Sequence, residues 1–66
     1  MKLKKTEILI LMAEKEWTTT DLAKAAMLTP AVIRKGYNAN ISTKTIGKIA
    51  KALGANVKDI ITCEED

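Results

Sequence analysis

Helix-start signals divide this chain before any other property is considered. Thr18, Thr29 and Ser42 each carry a side chain suited to capping a helix N-terminus. Asp21 follows Thr18 by three residues, a capping box with a shorter acid. Pro30 follows Thr29, at the first helical position, where its missing N–H costs nothing. Asn56 offers a fourth start, and Gly36 and Gly54 read as stops. The apolar residues between these marks recur at helical spacing rather than alternating.

Five short helices follow. Helix 1 is predicted over Thr6–Glu16, with Ile8, Leu11 and Met12 in the i, i+3, i+4 pattern. A fully buried strand over Ile8–Met12 stays open, although the charged flanks favour helix. Trp17 stands just before the second cap, where it can staple onto Leu22. Helix 2 runs over Thr19–Ala26, with Leu22, Ala23 and Ala26 inward. Met27 and Leu28 connect it to helix 3, Pro30–Lys35, and Tyr37–Asn40 is a loop. Helix 4 covers Thr43–Leu53, with Ile46, Ile49, Ala50 and Leu53 on one face. Helix 5 covers Val57–Ile61, with Val57, Ile60 and Ile61 inward, and Cys63–Asp66 is a loose acidic tail. The expected core is Ile8, Leu11, Leu22, Ile33, Ile46, Ile49, Leu53 and Ile60. The fold class is all-α, one five-helix domain over residues 1–66.

Composition agrees and excludes several functions. One Pro and three Gly are too few turn residues for a strand-rich sandwich or barrel. With 3% aromatic residues, the core must be aliphatic. A lone cysteine, Cys63, and no His leave no internal disulfide and none of the usual zinc ligand sets, so no metal or cofactor is expected. That usage fits a reducing cytoplasm. The longest apolar run, Ile8–Ala13, is too short to span a bilayer. Net charge is +3, but residues 18–59 hold seven lysines and arginines against two aspartates, an excess of five. A basic body suits a polyanion. Scattered acids, no His and no Gly-rich phosphate loop leave no catalytic constellation, so an enzyme is not expected and no small-molecule substrate is evident.

Helices 2 and 3, about residues 19–35, are two short helices joined by about three residues, which is the helix-turn-helix arrangement. The run LAKAAMLTPAVI (Leu22–Ile33), followed by STKTIGKIAKALGANVKDII (Ser42–Ile61), resembles the Cro/CI-type (Xre-family) helix-turn-helix domains of phage repressors and small bacterial regulators. The shared marks are the Leu-Ala opening of helix 2, the polar cap before helix 3, the apolar residue four beyond it, and the ending IAKALG…V.DI. Two departures stand out: Met27 where the family often has Gly, and Gly36-Tyr37 where it commonly continues with an apolar residue. The loop to Ser42 also looks about a residue short.

The resemblance implies a phage-repressor-like fold that binds double-stranded DNA. In that family the outward positions of helix 3 touch bases, which here are Pro30, Ala31, Arg34 and Lys35. Pro30 and Ala31 offer only apolar contact, for example to a thymine methyl. Arg34 can bond guanine bidentately, and Lys35 can reach a base or a phosphate. Thr29, Asn38, Asn40, Thr43 and Lys44 stand where phosphates would be clamped. Thr29 and Ser42 are caps first, and Tyr37, the remaining candidate contact, is read more as packing than as base contact. Lys48, Lys51 and Lys58 are read as solvated surface. The leading expectation is a sequence-specific regulator, a repressor, working as a homodimer on a palindromic operator, with helix 5 and the tail beyond it (Val57–Cys63) as the interface. The alternative is a protein-interaction module, such as an antitoxin or accessory subunit, built on the same fold.

Overall fold

The computed structural model describes residues 1–62. The element order is β1 (Lys2–Leu3), α1 (Lys5–Lys15), α2 (Thr19–Ala26), α3 (Pro30–Asn38), α4 (Thr43–Leu53), α5 (Val57–Ile60) and β2 (Ile61–Thr62). The expected five helices are present and the domain is all-α. The acidic tail, Cys63 included, lies outside the described residues.

Local chemistry sets the helix starts. Thr18 Oγ1 accepts from the Asp21 amide at 3.2 Å, and Asp21 Oδ2 accepts from the Thr18 amide at 2.9 Å, completing a capping box. Thr29 Oγ1 accepts from the Val32 amide, and Ser42 Oγ from the Thr45 amide. The ends of α1, α2 and α4 share one device. Glu16, Met27 and Gly54 each take a left-handed conformation just past the last helical residue. The amide of each bonds back to the carbonyl three residues earlier, and the next amide bonds five back, as in a Schellman motif. Only one of the three positions is glycine, so Glu16 and Met27 hold a conformation that a Cβ disfavours.

One aliphatic core joins the elements. Ile8, Leu22, Ile33, Ile46, Ile49 and Ile60 are its largest fully buried side chains, with Leu3, Met12, Ala23, Ala26, Ala50 and Leu53 completing it. α2 packs on both α3 and α4, and the small Ala23, Ala26 and Ala50 permit close approach there. Trp17 is half-buried against the core.

Several expectations are corrected. Helix 1 begins at Lys5 and ends at Lys15. Met12, not Leu11, is its second buried residue; Leu11 only packs on the core's edge. Gly36 does not stop helix 3, which continues to Asn38. A Cβ at Gly36 would lie 2.7 Å from Leu3 Cδ1 and 3.0 Å from Ile41 Cδ1. The glycine is there for room, not for a turn.

Two strands of two residues each went unforeseen. β1 and β2 pair antiparallel, Lys2 with Thr62 and Leu3 with Ile61. The Lys4 amide extends the ribbon to the Ile60 carbonyl at 2.7 Å. Helix 5 therefore ends at Ile60, and Ile61 belongs to the ribbon. Val57 is exposed rather than inward. Ile60 is fully buried and Ile61 packs on the core, so neither is left uncovered at the end of α5.

Candidate nucleic-acid interface

The interface is built on α3, seated by its buried residues. Ile33 and Gly36 face the core, and Leu3 of β1 fills the groove over Gly36. That contact carries the helix one turn beyond the expected stop. The turn matters, because it brings Asn38 into helical register with Ala31, Arg34 and Lys35. These four lie at i, i+3, i+4 and i+7, one stripe along the helix, and all four are exposed. Chemically the stripe is a methyl, a planar five-donor cation, a flexible cation and an amide that both donates and accepts.

Other candidates fall around this stripe. Pro30 is half-buried beside it. Tyr37 points the other way. Its ring packs against the core and its hydroxyl is buried without a hydrogen-bond partner. Burial raises the phenol's pKa, and the Lys5 ammonium lies over the ring, 5.6 Å from its centre. A phenol held this way braces α3 against α1 and stands apart from the exposed stripe.

The chain between α3 and α4 forms the second part of the surface. Ile41 anchors it by packing on the core, and its amide donates to the Met1 carbonyl at 3.1 Å. Asn40 is exposed, and its Oδ1 accepts from the Met1 amino group at 2.8 Å, leaving its amide N–H groups to point elsewhere. Thr43 and Lys44 are exposed in the first turn of α4. The first turns of α3 and α4 contain no acid, unlike that of α2, which carries Asp21. Helix N-termini without acids leave their positive ends available to anions. From residue 22 to residue 58 the chain carries no acidic side chain at all.

A short α2, a turn, and an α3 presenting a polar, cationic outer stripe define a helix-turn-helix protein. A family model for the Cro/C1-type HTH DNA-binding domain matches residues 7–66, and the chain belongs to that family. It is accordingly a DNA-binding domain of the kind found in regulators rather than in enzymes. No curated protein matches the chain significantly. No helix among the described residues is long and apolar enough to cross a membrane.

Proposed function

We propose that the protein is a sequence-specific transcriptional repressor that binds a palindromic operator as a homodimer, with α3 in the major groove. The exposed Ala31–Arg34–Lys35–Asn38 stripe carries the reading. Arg34 supplies the bidentate fork that suits guanine O6 and N7, Asn38 can bond adenine, and Ala31 offers a methyl-sized apolar contact. Thr29, Asn40, Thr43 and Lys44 clamp backbone phosphates around the stripe, with the α4 N-terminus adding its dipole. One short helix reads few base pairs, so selectivity calls for two copies on related half-sites. Repression needs only occupancy of the operator, the simplest action open to a DNA-binding domain.

The test is a titration of wild-type protein and single variants against a selected site and a scrambled site at several salt concentrations. Arg34→Ala should cost about 1–3 kcal/mol on the selected site and relax preference at one base position. Lys44→Ala should weaken binding to both DNAs alike and lower the salt slope by about one unit. Lys35→Ala should fall between them. Wild-type behaviour of Arg34→Ala on both DNAs removes α3 as the reading element. Salt-independent association with a protein instead would favour the interaction-module reading.

A further inference from the structure

α3 is held to the domain at two points along its length. Ile33, in its first half, is fully buried in the core. Gly36, three residues on, lies under Leu3 of β1. Arg34 sits beside the first anchor, whereas Asn38 lies two residues past the second. The two ends of the outward stripe therefore depend on different parts of the fold.

The second anchor is a three-way joint. Leu3 Cδ1 and Ile41 Cδ1 converge on Gly36, 2.7 and 3.0 Å from where a Cβ on that glycine would stand. Ile41 lies in the link between α3 and the α4 cap, so one leucine seats both the last turn of α3 and that link. The backbone repeats the connection, because the Ile41 amide donates to the Met1 carbonyl at 3.1 Å. Among the described residues, this is the one backbone hydrogen bond from residues 39–41 to a segment other than the flanking helices. β1 is fixed in turn from its other side. Leu3 pairs with Ile61, and the Lys4 amide donates to the carbonyl of Ile60, whose side chain is fully buried. Leu3 thus ties the end of α5 to the part of the surface that carries Asn38 and Asn40.

We infer that Leu3 is a positioning residue for DNA recognition. Only 3% exposed, it acts through Gly36 and Ile41, holding the last turn of α3 so that Asn38 meets a base edge and Asn40 meets the phosphate backbone. The inference rests on the reading of the outward stripe as the base-reading element. An amide reads adenine through two hydrogen bonds, so its backbone must be held to about half an ångström. Close packing supplies that rigidity. A shortened side chain at Leu3 leaves a void over Gly36, into which the last turn of α3 and Ile41 can shift. Arg34 keeps its place, because Ile33 beside it is anchored in the core.

The experiment measures binding of the full chain to a selected site and to all its single-base-pair variants, at a temperature where circular dichroism shows each protein folded. Asn38→Ala and Arg34→Ala identify the base pair each side chain reads, as the position where preference falls about tenfold. Leu3→Ala should also lower preference about tenfold at the Asn38 position, and leave the Arg34 position within about twofold of wild type. Leu3→Met, which keeps the volume, should hold both preferences within about twofold of wild type. Leu3→Val, one carbon smaller, should lower preference at the Asn38 position about threefold, and stands in for the alanine variant should that not fold. A role in stability alone gives a different pattern: fewer folded molecules weaken binding to every DNA by one common factor and leave all preferences unchanged. Unchanged preference at the Asn38 position, whether or not overall affinity falls, overturns the inference and leaves the stripe reading intact. So does an equal loss of preference at both positions. If Asn38→Ala lowers preference nowhere, Asn38 reads no base and the inference falls with that part of the reading. If Arg34→Ala lowers it nowhere either, the stripe reading itself is wrong.

Discussion

Met27 holds the tightest turn in the helix-turn-helix with the wrong kind of residue. Its φ of 61° and ψ of 44° place it in the left-handed region, where it closes α2. A residue with a Cβ pays roughly 1–2 kcal/mol there. Glycine removes that strain but loses about 0.4–1 kcal/mol through the greater freedom of its unfolded chain. The Met27 side chain is 83% exposed, so its removal sacrifices little packing. Met27→Gly should therefore stabilise the domain by about 0.5–1 kcal/mol, a rise in Tm of roughly 2–8 °C for a chain of this size. Urea unfolding followed by circular dichroism measures it, and the denaturant slope should not change. Met27→Ala is the control: it removes the same side chain but keeps the Cβ, and should bring no comparable gain. A glycine variant less stable than wild type, or an alanine variant equally stabilised, would refute the argument that backbone strain resides at this turn.

Gly36→Ala should destabilise by about 1 kcal/mol, because the added Cβ overlaps buried Leu3 and packed Ile41 by more than the gain in helix propensity offsets; a neutral or stabilising result in chemical denaturation would show that β1 does not press on α3. Ile33→Ala should cost about 2–5 kcal/mol, since Ile33 is fully buried at the foot of α3; a loss well below that would remove Ile33 from the core. Asp21 has its pKa lowered, first by the backbone and then by the side-chain hydrogen bond of Thr18. Its folded value is below its unfolded one, so its contribution is present above about pH 3.9 and is lost as acid carries the pH down through the folded value. Thermal melts of wild type and Asp21→Asn should accordingly differ most near neutrality and converge in acid, and a gap that stays constant with pH would contradict this.

Much of the architecture was legible because its causes are local. A cap needs only a hydroxyl and an amide three residues on, so Thr18, Thr29 and Ser42 announce their helices from the sequence. The spacing of Leu22, Ile33, Ile46, Ile49, Leu53 and Ile60 likewise declares which faces turn inward, and all six are buried. Arg34 and Lys35 could be placed on the outward side of α3 by the same reasoning, because Ile33 beside them had to face in.

The remainder depends on residues far apart in the chain. Gly36 carries the local signature of a helix stop, yet Leu3 and Ile41 pack where its side chain would be and the helix runs through it. The position of Asn38 on the outward stripe and the inward turn of Tyr37 both follow from that added turn. The ribbon of Leu3 with Ile61 is two residues a side, too short for any periodicity, and exists because the helices bring those segments together. Met12 displaces Leu11 from the core by its place against the other elements, a choice that helical spacing alone leaves open. Sequence by itself determined where α2, α3 and α4 begin and which of their faces turn inward, since capping and periodicity act over one turn. Where α3 ends, and hence which side chains complete its outward stripe, was decided only when β1 closed over Gly36, because van der Waals contact between distant segments has no local signature.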